Sequence, residues 1–124
     1  MYQRKTAKEI RCPLEYGLDL FGGKWKSRVI CVLAGLGTLR YSALRKEMGN
    51  IADRVLAAML RELMDADLIR RKSYEEIPPR VEYSLTEKGN SVVPILQEIC
   101  RWSGQYYDEN TGEGLSYCSR CNYE

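Results

Sequence analysis

The sequence Asp53–Ala66, DRVLAAMLRELMDA, predicts a helix with two different sides. At 100° per residue, its large apolar side chains gather on one side, and its arginines and alanines gather on the other. The apolar side holds Val55, Leu56, Met59, Leu60 and Leu63, and the opposite side holds Arg54, Ala57, Ala58, Arg61 and Asp65. Alanines between two arginines let the backbone approach a partner closely, which suits a helix in the DNA major groove. The alternative is a surface helix with solvated charges, and the flanking sequence decides between them.

Charge and composition narrow the classes of function. The net charge is +2, but residues 1–80 carry 16 Lys and Arg against 10 Asp and Glu, whereas residues 81–124 carry 3 against 7. A basic N-terminal part and an acidic C-terminal part suit a protein that binds a polyanion with one side, although such asymmetry also arises by chance. The chain has no histidine, which removes the commonest general base and the nucleophile pairs that depend on it. We therefore expect a binding protein and not an enzyme.

Length and cysteine usage indicate one cytoplasmic domain. The 124 residues suffice for a single buried core. No apolar run approaches the roughly 20 residues that cross a membrane, and the start, MYQRKTAKEIRC, lacks the apolar segment of a secretory signal. The five cysteines are an odd number, so we expect reduced thiols and no closed disulfide framework.

Apolar spacing and turn residues divide the chain into short elements. The predicted helices are Pro13–Phe21, Lys24–Leu36, Tyr41–Met48, Asp53–Ala66 and a last helix that Thr86 caps, with Pro94 kinking or dividing it. The predicted strands are Leu68–Tyr74 and Arg80–Leu85, with a short extended segment at Thr38–Arg40. In the helix Tyr41–Met48, the side chains predicted to face inward are Ala43, Leu44 and Met48. This short helix, the Gly49-Asn50 turn and the longer helix after it form a candidate helix-turn-helix.

The two strands after this motif predict a wing. Their basic residues, Arg70, Arg71, Lys72 and Arg80, lie where a wing would meet the sugar-phosphate backbone or the minor groove. An ordinary edge hairpin protected by its charges is the alternative. The predicted fold class is therefore mainly α with a small β wing, a winged helix-turn-helix.

The last helix carries more apolar surface than one packing partner requires. From Val92 to Tyr107 its apolar side spans about 160° of the helical wheel, against the roughly 100° that a helix resting on one surface needs. This pattern predicts a two-fold dimer formed by the N- and C-terminal helices. The candidate interface residues are Leu14, Leu18, Phe21, Ile95, Ile99, Trp102 and Tyr106. A two-fold axis would present two recognition helices about 34 Å apart, or a multiple of that distance.

The ordered set of motifs resembles the HxlR family of winged-helix bacterial transcription regulators, which are relatives of the MarR type. The motifs are CPLE at Cys12–Glu15, GGKWK at Gly22–Lys26, RYSAL at Arg40–Leu44, LREL at Leu60–Leu63, Leu68-Ile69, PPRVEYSLTEKG at Pro78–Gly89, and Trp102. Single pieces such as LTEKG occur in many winged helices, but the ordered set is specific. The resemblance covers about residues 10–108.

The resemblance implies a homodimer that binds a pseudo-palindromic double-stranded DNA operator and represses or activates nearby genes, with a repressor as our prediction. The candidate DNA contacts are Ser42, Arg45, Asp53, Arg54, Ala57, Ala58, Arg61, Lys72 and Arg80. Relatives usually have Ser or Thr where this chain has Ala52, so Asp53 is alternatively the helix cap. Arg61 alternatively braces the scaffold or contacts a phosphate. A competing hypothesis is a thiol redox or zinc sensor that uses the winged helix for protein interaction.

The cysteines raise a second question of function. Cys12 resembles the redox-sensing thiol of several family members, and the positive end of a helix near Arg11 would favour its reactive thiolate, although other members keep a cysteine there for packing. Cys31 and Cys100 lie within helices and are predicted to be buried small hydrophobes. Cys118 and Cys121 form one CxxC, half of a zinc site, so we predict no cofactor and keep zinc, a redox pair and a merely packed or mobile tail as alternatives. The predicted organisation is a basic arm (1–11), the winged domain (12–108) and a CxxC tail (109–124).

Overall fold

The computed structural model describes residues 9–107, which form five helices and a three-stranded sheet. The helices are α1 (Pro13–Phe21), α2 (Lys24–Leu36), α3 (Tyr41–Met48), α4 (Asp53–Asp65) and α5 (Glu87–Ser103). The strands are β1 (Leu39–Arg40), β2 (Ile69–Tyr74) and β3 (Arg80–Leu85). This arrangement confirms the predicted mainly α fold with a small β wing.

The sheet is antiparallel, with β3 between β1 and β2. In the hairpin, Ile69 pairs with Leu85 at the base and Tyr74 pairs with Arg80 near the tip. On the other edge of β3, Leu39 of β1 pairs with Tyr83. The sequence predicts β1 only as an extended segment, because two residues are too few to show the alternation that identifies a strand and its partner.

The core is built around α2. This helix packs against α3, α4, α5 and β3, and it contributes Val29, Ile30, Val32 and Leu33 as buried side chains. The other helices add the apolar residues predicted to face inward, among them Leu44, Met48, Leu56, Leu60 and Leu63. Ala43 was expected to face inward as well and is exposed, because Leu44 and Met48 already fill the side of α3 that faces α2. No described helix has the length and apolar character that spanning a membrane requires.

The end of α4 turns the chain into the wing. Asp67 has a φ of 63°, and its N–H donates to the Met64 carbonyl at 2.9 Å. The N–H of Leu68 donates to the Leu63 carbonyl at 2.9 Å, which completes a Schellman motif. Because Leu68 is fully buried, this turn fixes the direction in which β2 leaves the core.

The first turn of α5 docks onto that same connection. The Thr86 hydroxyl accepts from the Gly89 N–H at 2.9 Å, which confirms Thr86 as the N-cap. The hydroxyl also donates to the Asp67 carbonyl at 2.6 Å, and the Lys88 ammonium donates to the Ala66 carbonyl at 3.0 Å. The helix continues through Pro94, which does not divide it, and ends at Ser103. The prediction that its apolar side extends to Tyr107 is therefore wrong for the last four residues, where turns follow the helix.

Candidate nucleic-acid interface

A tight turn joins α3 to α4 and sets their relative direction. Gly49 has a φ of 80°, which an L side chain rarely adopts, and its N–H donates to the Lys46 carbonyl at 3.3 Å. Ile51 follows it and is buried, so the turn is anchored in the core. The predicted Gly49-Asn50 turn is confirmed, and α4 starts where its outer side is open to solvent.

Three predicted contacts share the exposed face of α4. Arg54, Ala57 and Arg61 are all exposed, and their spacing of three and four residues places them along one line of the helix. We call these three residues the α4 ridge. Two guanidinium groups therefore flank a position that carries only a methyl group.

The prediction that Ala58 lies on this exposed face is wrong. Ala58 is 9% exposed and belongs to the buried residues of α4. It lies one turn before Glu62, whose carboxylate is 2.8 Å from the Lys26 ammonium of α2. Ala58 is thus on the strip of α4 that faces α2, where a short side chain allows the two helices to approach.

Asp53 and Arg45 are paired with each other. The Arg45 guanidinium forms an ion pair with the Asp53 carboxylate, and the Tyr41 hydroxyl donates to the same carboxylate at 3.4 Å. The hydrogen bond from Arg45 lowers the pKa of Asp53, and burial together with the Asp53 charge raises the pKa of Tyr41. The N-cap of α4 is Ala52, which has no side-chain cap, so the alternative that Asp53 is the cap is wrong. Instead, Asp53 braces α4 against α3.

Two polar side chains of α3 remain exposed. Ser42 is exposed as a DNA contact would be, and Lys46 is exposed in the last turn of α3. Lys46 was not among the predicted contacts, although its outward position in the first helix of the motif was the signal that could have identified it. Because they are four residues apart, they lie on one side of α3.

The wing holds its two predicted contacts differently. Lys72 is exposed, with its ammonium 5.0 Å from the ring centroid of Tyr74. The Arg80 guanidinium lies 3.7 Å from the same centroid and pairs with Glu76 at 2.8 Å and with Glu82 at 3.4 Å. Only 26% of the Arg80 side chain is exposed, so this side chain lies along the wing.

With this geometry established, comparison with known proteins gives the family. A model described as HxlR-like helix-turn-helix matches residues 20–111. The chain belongs to the HxlR family. An uncharacterised HTH-type transcriptional regulator of Methanothermobacter thermautotrophicus is 48% identical over 107 residues, which are 85% of this chain and 81% of that protein. The HxlR-family chain described here is accordingly a helix-turn-helix transcriptional regulator.

Solved structures of similar regulators share the fold. The redox regulator HypR in its oxidised form is 38% identical, with a TM-score of 0.68 over 78% of this chain and 99% of that one. The reduced form of the transcriptional regulator YodB from B. subtilis is 30% identical, with a TM-score of 0.70 over 84% of this chain and all of that one. The first of these structures is thus that of a protein named a redox regulator.

In this HxlR-family chain, Cys12 is exposed at the N-cap of α1. The Arg11 guanidinium pairs with the Glu15 carboxylate at 2.9 Å and lowers the pKa of Glu15, and its effect on the thiol stays a prediction. Cys31 and Cys100 are partly buried. The basic arm up to residue 8 and the zinc candidates Cys118 and Cys121 lie outside the described residues. Within residues 9–107, no three His, Cys, Asp or Glu side chains are grouped as a metal site requires.

Helices α1 and α5 and the turn after α5 expose large apolar side chains. Leu14 is 68% exposed, Trp102 is 64% exposed and Tyr106 is 76% exposed. The remaining exposed members of the predicted interface are Leu18, Ile95 and Ile99. Phe21 differs, because it is half-buried against the core of the same chain. We call the six exposed residues the apolar face, and its role as a dimer interface stays a prediction.

Proposed function

We propose that this HxlR-family regulator binds a pseudo-palindromic duplex operator as a homodimer, with α4 in the major groove and the wing on the flanking backbone. The observation that carries the proposal is the α4 ridge, in which two exposed arginines flank one alanine. Arg reaches guanine O6 and N7 with two donors, and an alanine methyl contacts the methyl group of thymine. A ridge of this composition favours base contact over simple attraction to phosphates.

Ion pairs with α3 and α2 hold α4, and with it the α4 ridge, in position. Asp53 and Arg45 hold the first turn of α4 to α3, while Lys26 of α2 pairs with Glu62 on the inner side of α4. The Lys26 ammonium also donates to the Asp19 carbonyl of α1 at 3.2 Å. Arg45 and Asp53 thus act in this proposal as positioning residues, and Arg54 is the proposed base contact.

Substitution of Arg54 by Ala tests the proposal. We expect Arg54→Ala to weaken operator binding by about 10- to 100-fold at fixed salt while the affinity for unrelated duplex DNA changes little, since a bidentate guanine contact is worth about 1–3 kcal/mol of discrimination. The operator is first located by footprinting DNA that flanks the coding region. Arg101→Ala in α5 is the matched control, because it removes the same charge from another helix. Equal operator affinities for the two variants would contradict the assignment.

We propose further that Cys12 regulates this binding through its redox state. Its exposure at the start of α1, next to Leu14 of the apolar face, and the similarity to the redox regulator HypR support this role. Cys12→Ser is expected to bind the operator like the parent but to remain bound after treatment with a mild thiol oxidant that releases the parent. Release of both proteins by the oxidant would assign the response to another thiol.

A further inference from the structure

A polar cavity of about 280 Å³ lies on the face of the sheet that is turned away from the core, and no residue of α4 lines it. Its lining residues come from β2, from β3 and from the position before β1, and they are Thr38, Arg70, Lys72, Tyr74, Glu82 and Ser84. Residues two apart along a strand share a face, and Arg70 lies opposite Ser84 in the ladder. Tyr83, on the other face of β3, is buried in the core. The register of the hairpin therefore gathers these polar side chains on one outer surface.

Two cations of this cavity have no anionic partner. Within residues 9–107, the Arg70 guanidinium makes no hydrogen bond or ion pair, and the Lys72 ammonium contacts only the ring of Tyr74, at 5.0 Å from its centroid. The carboxylate of Glu82 also lines the cavity, but it pairs with the Arg80 guanidinium at 3.4 Å and accepts from the Tyr74 hydroxyl at 3.0 Å. Because Arg80 offsets the charge of Glu82, the cavity retains two uncompensated positive charges.

Hydroxyl groups add neutral donors to the same cavity. The side chains of Thr38 and Ser84 have no hydrogen-bond partner in the part of the chain that the structure describes. A hydroxyl supplies one donor, a guanidinium five in a planar fork, and an ammonium three. A phosphate monoester offers three terminal oxygens and a charge between −1 and −2, which matches two cations and several donors better than a carboxylate does.

We propose that this cavity binds a small phosphate monoester whose organic part carries a hydroxyl group. The phosphate pairs with Arg70 and Lys72, and the hydroxyls of Thr38 and Ser84 donate to its oxygens. Glu82 accepts from the hydroxyl of the organic part, which a purely apolar ester lacks. Since a cavity of about 150 Å³ holds benzene, the larger volume here has room for a phosphate and an organic part of roughly three to six non-hydrogen atoms.

Binding is tested by isothermal titration calorimetry of the full chain, free of DNA, with glycerol 3-phosphate as the probe. We expect saturable binding with one site per chain. Inorganic phosphate should bind about tenfold more weakly, because it makes no contact through an organic hydroxyl. Absence of saturable binding, or equal affinity for inorganic phosphate and glycerol 3-phosphate, would overturn the proposal.

Two variants connect binding to the cavity. Arg70→Gln should raise the dissociation constant of glycerol 3-phosphate about 30-fold, since it removes charge-assisted hydrogen bonds. Arg71→Gln is the matched control, because it removes the same charge from the next residue, which lies on the other face of β2 and donates to the Ser73 hydroxyl at 3.0 Å. Thr38→Val removes a hydroxyl without changing charge and should raise the constant about fivefold, which keeps the test available if Arg70→Gln fails to fold. Equal effects of Arg70→Gln and Arg71→Gln, or parent affinity in Thr38→Val, would refute the site.

The DNA backbone is another source of phosphate oxygens, and Thr38→Val distinguishes it from a small ester. This variant should bind unrelated duplex DNA like the parent at fixed salt while it binds glycerol 3-phosphate more weakly. An equal loss of affinity for both would assign the donors to a DNA phosphate and overturn the proposal.

A bound ester has a consequence for DNA binding that rests on the proposed function. Lys72 is a proposed wing contact, so a phosphate paired with it removes one contact to the DNA backbone from each subunit. Saturating glycerol 3-phosphate should therefore lower operator affinity and reduce the slope of its logarithm against that of salt concentration by about one per subunit. Protein that binds the ester but no operator would contradict the proposed function and leave the site intact, whereas an unchanged slope would contradict the regulatory consequence alone.

Discussion

Arg80 is surrounded by side chains of its own wing. Its guanidinium stacks on Tyr74 and pairs with Glu76 and Glu82, while the Tyr74 hydroxyl donates to Glu82 at 3.0 Å. The Arg80 Nε is buried and has no hydrogen-bond partner among residues 9–107, which costs free energy. To contact DNA, the side chain has to leave Glu76, and a phosphate oxygen would then supply the acceptor that the buried Nε lacks.

We therefore predict that Glu76→Gln tightens DNA binding. Loss of the Arg80–Glu76 ion pair lowers the free energy needed to extend Arg80, and a partly exposed pair of this kind corresponds to about a threefold gain in affinity. Glu75→Gln removes the same charge from the adjacent position, so it controls for long-range attraction to phosphate. Fluorescence anisotropy with an operator duplex at fixed salt measures both variants. An equal effect of the two substitutions would show that Arg80 is not released from Glu76 on binding.

Single side chains are where prediction from the sequence was least complete. The helical wheel placed Arg54, Ala57 and Arg61 correctly, because the period of the helix fixes their direction. It failed for Ala58, since burial at the edge of a face depends on how closely α2 approaches. The partners of Asp53 lie on another helix, and no local pattern in the sequence indicates them.

The helices and strands were largely predictable because residues at their ends specify the bounds. The α2 helix lies between Gly23 and Gly37, α3 ends before Gly49, and Thr86 caps α5 as expected. The predicted end of α4 was one residue too late, since Ala66 is the C-cap. What local signals could not supply was the pairing of β1 with β3, which joins segments distant in the chain.

Gly89 shows how such distant contacts constrain an element. A Cβ atom at this position would lie 2.0 Å from the carbonyl oxygen of Leu68, so the first turn of α5 approaches the backbone of the α4–β2 connection directly. The Thr86 N–H donates to the same carbonyl at 3.1 Å. This contact requires glycine within the LTEKG segment, where the sequence motif alone gives no physical reason for it.

At the scale of the whole molecule, packing within a single chain does not account for the apolar face. Its side chains come from α1, from α5 and from the turn after α5, at opposite ends of the described sequence, and they include Trp102 and Tyr106. Exposed large apolar side chains of this kind mark interaction sites, and aromatic residues dominate the binding energy of protein interfaces. The predicted two-fold dimer accounts for this surface and also supplies the second α4 ridge that a palindromic operator requires.

Ile99→Asp at the centre of α5's contribution tests this dimer. A carboxylate buried between two subunits without a partner is strongly unfavourable, so we expect the dimer dissociation constant to rise about thirtyfold or more. The control is Ile77→Asp, because Ile77 is fully exposed at the tip of the wing and undergoes the same change of chemistry. Analytical ultracentrifugation over a dilution series should give a monomer for Ile99→Asp where the parent and Ile77→Asp remain dimers, with unchanged circular dichroism.

Since each monomer then offers one α4 ridge, full-operator affinity should fall to that for a half-site. A parent that is monomeric, or an Ile99→Asp variant as dimeric as the control, would place the dimer contact elsewhere.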